Sequence, residues 1–223
     1  MIWWGKGRTM RNIRIEAADI TLLPVVKGLV SEEETVSRIF DEMRPDVIAI
    51  SISREDLEGL HRREDYDKYE PSDLEIIYQA FLESFGEVRI PPPAYVRALE
   101  ISEEKGTPII PIDMNEELYT ETYCQKVRTR DMIRESYFAR RATGKTFDLS
   151  SPDAFARSWD ARVNKARGFR ELERAREVHM ANTLRRLGGK YSRVLAIIEC
   201  ERLDGVARAL EDGGPANQDT LIK

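Results

Sequence analysis

Four short runs of apolar, mostly β-branched residues punctuate the chain, at about 20 to 26, 46 to 52, 107 to 113 and 192 to 199. Each is nearly continuous rather than alternating, which suits strands buried on both faces of a parallel sheet. Between the first two, Val36, Ile39, Phe40 and Met43 return at helical spacing and predict a helix over 32 to 43 with one face on the sheet. Ser31, three residues before Glu34, is the sequence form of a capping box, and Arg44-Pro45 stops the helix before "DVIAISI". This is a strand, helix, strand unit.

The same patterns continue. Ser53 to His61 reads as a short helix, followed by the charge-dense connection "HRREDYDKYEPSD". Leu74, Ile77, Tyr78, Phe81 and Leu82 mark the apolar face of a helix that closes at Gly86, and another begins after the prolines at 91 to 93 and ends at Gly106. From 115 to 189 the chain reads as long helices, over 115 to 141, 152 to 165 and 168 to 187, with Gly144 and Gly168 at breaks. A last short helix spans Gly205 to Leu210, and 211 to 223 reads as a loose polar tail. The order predicts an α/β fold: a mainly parallel sheet flanked by helices, built from 1–114 and 190–210, with a helical insertion over 115–189.

Composition narrows the functional classes. With 35 Lys and Arg against 40 Asp and Glu the net charge is -5, which argues against a surface built for nucleic acid or anionic lipid. The segment 115 to 189 is locally basic, but its Arg and Glu interleave at i,i+4 spacing and read as solvated faces. Cys124 and Cys200 are far apart, without a disulfide framework, and fit a reducing cytoplasm. No apolar run approaches the ~20 residues of a membrane span, and the N-terminal segment has no apolar stretch of signal-peptide length. Trp3 and Trp4 beside Lys6 and Arg8 read as a tail that packs on its own body or on a second subunit.

In open parallel sheets, ligands gather beyond the carboxyl ends of the strands. Those ends are here Val25 to Leu29, Ser51 to Arg54, Asp113 to Asn115 and Glu199 to Asp204. The last, within "IIECERLDG", sets Glu199, Cys200, Glu201, Arg202 and Asp204 at the end of an apolar run. Three readings stand: a metal or acid/base site built from Asp113, Glu199, Glu201 and Asp204; a binding pocket made by these charges; or a structural polar cluster. If the strand continues, Glu199 and Glu201 share a side while Cys200 faces away, and mutual repulsion raises one carboxyl pKa. Flanking carboxylates also raise the Cys200 thiol pKa, the wrong direction for a nucleophile. His61 reads as a surface residue and His179 as a half-buried helix residue. "TGKTF" lacks the first glycine of a phosphate loop, since Ala139 stands in its place.

The arrangement of "LVSEEETVSRIFDEMRPDVIAISIS", "RALEISEEKGTPIIPID" and "REVHMANTLRRLGGKYSRVLAIIECERLDGV" resembles the TraB family, which includes pheromone-shutdown proteins and is similar to the TIKI metalloproteases and the ChaN and erythromycin-esterase-like group. The resemblance spans about 19 to 210 and rests on the Pro-Asp, Arg-x-x-x-Met and Leu-x-Gly anchors. It implies that family's α/β scaffold. The family's histidine slots are taken by Leu29 and Arg202, its glutamate slots by Ser51 and Ala94, and the Arg of its "IDRD" by Met114; Asp113 and Arg176 match. Leucine offers no lone pair, and arginine repels a divalent cation.

The expectation from these residues is a TraB-like ligand- or protein-binding module, without cofactor or metal. Its pocket draws on Ser51, Asp113, Arg176, Glu199, Glu201 and Arg202, and its partner is an unidentified small ligand, a protein or a second copy of the chain. The alternative is a metal-dependent hydrolase with a rebuilt carboxylate site.

Overall fold

Five strands form one sheet in a computed structural model that describes residues 9–68, 70–144 and 146–213. They are β1 (Arg11–Ile15), β2 (Ala18–Val25), β3 (Val47–Ile50), β4 (Ile109–Pro111) and β5 (Arg193–Glu199), in the spatial order β1-β2-β5-β3-β4. β2, β5, β3 and β4 run parallel, while β1 pairs antiparallel with β2. The sheet is therefore mixed. The apolar-run pattern passes over β1 because "RNIRI" is a short edge strand whose side chains are mostly exposed.

Side chains alternate between two cores, as the pleat requires. Leu23, Val25, Ile48, Ile50, Leu195 and Ile197 face α1 (Glu32–Met43), α2 (Arg54–His61) and α4 (Pro93–Lys105), the latter through Tyr95, Ala98, Leu99 and Ile101. Ile20, Leu22, Val47, Ala49, Val194, Ala196 and Ile198 face α8 (Arg167–Gly188) and α9 (Leu203–Glu211), through Met180, Leu184, Val206 and Leu210. Each fully buried aliphatic side chain contributes about 1.5–3 kcal/mol, so this double-sided burial fixes the strand register.

The path across the sheet positions the site. From β2 to β3 and on to β4 the chain moves one way, through α1 and then α4 on one face; it then reverses to insert β5 between β2 and β3, and α8 covers the opposite face. A single crossover hand demands this change of face when direction reverses. The reversal sets the carboxyl ends of β3, β4 and β5 side by side at one edge of the sheet, where ligands gather in open parallel sheets.

A third core lies beyond β2, where α3 (Asp73–Leu82) and α7 (Pro152–Val163) bring Tyr78, Phe81, Phe155 and Trp159 around Leu29 and Cys200. Tyr78 stacks on Phe155 with ring centroids 5.2 Å apart. The remaining helices are α5 (Glu116–Lys126) and α6 (Thr129–Ala139), with a short 3-10 turn at Arg63–Lys68. No helix among the described residues is long and apolar enough to cross a membrane. The N-terminal tryptophans and all of the expected tail beyond 213 lie outside the described residues.

Two local expectations are corrected. Ser31 makes no capping hydrogen bond, because it already has helical dihedrals (φ -59, ψ -15) and the Glu32 and Glu33 N–H groups donate to the Leu29 and Val30 carbonyls. The side-chain capping boxes lie instead at Ser53 with Asp56 and Ser72 with Glu75. The single helix expected over 115 to 141 is broken at Val127, which turns inward to pack with Ala166, Phe169 and Leu172. Neither Gly nor Pro marks that break, so tertiary burial alone decides it.

Candidate functional site

Strand ends bring the first set of polar groups together. Ser51 follows β3 directly, and its buried Oγ accepts a hydrogen bond from the Glu199 backbone N–H at 3.3 Å, joining the ends of β3 and β5. The same Oγ lies 2.9 Å from the hydroxyl of Tyr95, a fully buried residue of α4. Burial pushes the Tyr95 hydroxyl well above its ordinary pKa, with the Glu199 charge adding to the effect. Tyr95 therefore stays a neutral phenol at the floor of the site.

Asp113, two residues past β4, is held by Arg176 of α8, with Nε 3.0 Å from Oδ2 and Nη2 on the same oxygen. Its other oxygen accepts the Met114 N–H at 2.7 Å. Arg176 also reaches Glu173, one helical turn earlier, at 2.7 Å. Burial works against the Arg176 charge, but Glu173 and Asp113 outweigh it and hold the guanidinium well above its ordinary pKa.

Arg202 closes the network from the turn between β5 and α9. Its Nε is 3.2 Å from Glu173, its Nη1 is 3.5 Å from Glu177, and its Nη2 pairs with Asp160 of α7. The Glu177 carboxylate lies over the first turn of α9, where only the missing Cβ of Gly205 leaves room for it. Burial raises the pKa of both Asp160 and Glu177, and Arg202 partly offsets this.

Glu199 and Glu201 complete the site. β5 ends at Glu199, yet the two carboxylates still interact: the Glu201 carboxyl is pushed up to about 7, by burial first and by Glu199 second. Cys200 packs into the aromatic core, and its thiol donates to Glu201 Oε2 at 3.3 Å, so the strand alternation that would separate the two side chains ends with β5. Burial and then the Glu201 charge push the thiol far up, which removes it as a nucleophile at neutral pH. Glu199 is 8% exposed, and its Oε2 has no hydrogen-bond partner among the described residues.

Of the six positions expected from the sequence, Asp113, Arg176 and Arg202 share one ion-pair network through Glu173, Ser51 and Glu199 meet at the ends of β3 and β5, and the Glu199 and Glu201 charges act on Arg176 and Arg202 without direct contact. Asp204 joins none of these: it turns outward to Arg11 at 2.7 Å and Arg157 at 3.3 Å, on the rim of a separate open cleft of about 570 Å3. Sequence reasoning missed Tyr95, Asp160, Glu173 and Glu177. The signal for Glu173 and Arg176 was their place in line with Phe169 and Met180, buried residues at helical spacing on α8. His179 is half-buried on α8, and burial lowers its pKa; His61 is on the surface, 3.6 Å from Glu103.

The donor chemistry is that of an ion-pair network. Among the described residues no three His, Cys, Asp or Glu side chains meet in an arrangement that could hold a metal ion. The carboxylates of Asp113, Asp160, Glu173 and Glu177 contact the two guanidiniums, and Glu199 and Glu201 add two further charges that act on them without direct contact. No protein-family model matches the chain, and no curated protein matches it.

Proposed function

We propose that the chain is a divergent TraB-like binding module, whose strand-end pocket recognises a small ligand and does not carry out metal-dependent hydrolysis. The observation that carries this reading is Arg202, whose guanidinium stands among Asp160, Glu173 and Glu177. A permanent cation at that point neutralises the carboxylates that a divalent ion would otherwise need. Leu29, at the other position where the resembled family has histidine, is 3% exposed within the aromatic core. A reducing cytoplasm suits two free cysteines.

The rebuilt hydrolase is the second reading, favoured by the Glu201 carboxyl at about 7 beside Glu199, a value suited to general acid/base work. Two measurements separate them. A thermal-shift screen across amines, carboxylates, sugars and nucleotides is expected to yield a saturable ligand, weakened in Glu199→Gln. Ester, amide and phosphoester substrates with Mn2+, Mg2+ or Zn2+ are expected to show no turnover above the blank. Metal-dependent turnover abolished by Glu199→Gln with Glu201→Gln would favour the hydrolase, and a screen in which no class binds would remove the binding module.

A further inference from the structure

The ligand's chemistry follows from what the network leaves unsatisfied, and this inference rests on the binding-module reading. Arg176 and Arg202 account for the pairing of Asp113, Asp160, Glu173 and Glu177. Six carboxylates against two guanidiniums leave a formal excess of four negative charges. The unmet demand is sharpest at Glu199. Its Oε2 is buried without a donor among the described residues, an unfavourable state for a charged group unless something supplies the missing contact.

Glu199's surroundings locate the unmet contact. Its backbone N–H donates to Ser51 Oγ, which lies 2.9 Å from the Tyr95 hydroxyl, so Glu199 stands where the ends of β3 and β5 meet α4, and its charge also acts on Arg176. The Tyr95 hydroxyl and Ser51 Oγ, already bonded to each other, form a neutral polar floor. The cluster reaches solvent along Asp160, Arg176 and Glu177, whose side chains keep 22, 20 and 18% exposure. A ligand approaching along that rim meets carboxylates before it meets Glu199.

We propose that this strand-end cluster binds a small organic cation with several N–H donors, a guanidinium, amidinium or primary ammonium head, which donates to the unpaired oxygen of Glu199. The choice among cations is set by the groups present. A divalent metal requires several oxygen ligands converging on one point, and the two guanidiniums already take up most of these carboxylates. A donor-rich organic head asks for less: one carboxylate presented edge-on satisfies two N–H groups, and its positive charge is spread over several atoms. Tetramethylammonium carries the same charge without a donor, so it leaves Glu199 Oε2 unsatisfied.

The test is calorimetric titration of the full chain with methylguanidine, agmatine, putrescine and tetramethylammonium at pH 8 and low salt. Wild type is expected to bind at least one of the first three saturably and tetramethylammonium at least tenfold more weakly. Glu199→Gln, which keeps the side-chain shape, is expected to lose tenfold or more in affinity. Arg11→Ala, on the separate cleft, is expected to bind as wild type does. Circular dichroism and the thermal midpoint establish that each variant is folded; should Glu199→Gln not fold, Glu201→Gln is expected to show the same loss. Equal affinity for tetramethylammonium, or unchanged affinity in both folded glutamine variants, overturns the proposal. If citrate, a sugar or a nucleotide binds in a Glu199-dependent way while the amines do not, the cation assignment falls and the binding module stands. Binding by no class removes both.

Discussion

Glu173 of α8 and Arg202, at the turn after β5, meet at 3.2 Å in the interior, and the same Glu173 oxygen lies 2.7 Å from Arg176. One carboxylate thus joins two guanidiniums that arrive from different elements. Because the Arg202 side chain is only 9% exposed, its removal leaves Asp160, Glu173 and Glu177 as poorly compensated buried charges. Arg202→Met is expected to cost about 3–5 kcal/mol, a fall in Tm on the order of 10 °C. Arg202→Lys should restore less than half, since one ammonium cannot face three carboxylates at once. Thermal melts of the three proteins test this; a fall below about 2 °C for Arg202→Met would contradict the network.

Glu199 should show the opposite sign. Its buried Oε2 finds no donor among the described residues, so replacing the carboxylate by an amide of the same shape removes a buried charge without opening a cavity. Glu199→Gln is expected to raise stability by about 1–3 kcal/mol, measured by urea unfolding with an unchanged m-value. A polar residue that weakens the fold where it stands is the pattern expected of a binding position. A loss of stability in this variant would show that Glu199 is a structural member of the network.

The Glu201 carboxyl makes the fold pH-dependent. Its pKa is about 7 in the folded protein against an ordinary 4.5, so between those values the native state holds a proton that the unfolded chain has lost. The stabilisation from this proton is fully present below about pH 4.5 and is lost as pH rises to about 7, beyond which it is flat. At about 1.4 kcal/mol per pH unit, the ceiling is about 3 kcal/mol. Asp160 and Glu177, raised by burial, act in the same direction, while Arg202 opposes all three. Unfolding free energies from pH 4.5 to 8 are expected to fall in wild type and to fall less in Glu201→Gln. Parallel curves would contradict the assignment.

How far the site could be read from sequence depended on where its residues sit. Ser51, Asp113, Glu199 and Glu201 were legible because polar residues ending apolar β-branched runs stand at the sheet's carboxyl edge. Arg202 stood in the same strand-end run and also in a histidine slot of the resembled family, while Arg176 came from the resemblance alone. Asp160 and Glu177 were not legible, because a charged residue at i,i+4 spacing looks the same on a solvated face and against a buried partner, and Glu173 was marked only by its place in line with Phe169 and Met180. Tyr95 was hidden differently: in "PPPAYVRALE" it reads as one more core aromatic, and only the fold brings its hydroxyl to Ser51. β1 was missed because an exposed edge strand carries no apolar run, and the break at Val127 because burial against Phe169 and Leu172, with no turn residue, creates it.

Two glycines offer a test of which contacts around the site can yield. A Cβ on Gly205 would stand 2.1 Å from the Glu177 carboxylate, and one on Gly168 would stand 2.7 Å from the Lys126 carbonyl oxygen and 2.9 Å from the Val127 Cα. The shorter distance is the less costly one. The Glu177 carboxylate ends a flexible side chain, which can swing away at the loss of its 3.5 Å contact with Arg202, and alanine gains about 1 kcal/mol of helix propensity over glycine. At Gly168 the Asp131 carboxylate also stands at 2.7 Å and can turn aside, but the other two obstacles are backbone atoms of the α5–α6 junction, packed against Ala166 and Phe169, so α8 must shift bodily. Gly205→Ala is expected to change stability by less than about 1 kcal/mol while weakening ligand binding, because Glu177 leaves the rim. Gly168→Ala is expected to cost about 1–3 kcal/mol. Denaturant unfolding of both variants decides the ranking, and a larger loss at Gly205 would mean that the Glu177 position is held more rigidly than a single contact to Arg202 explains.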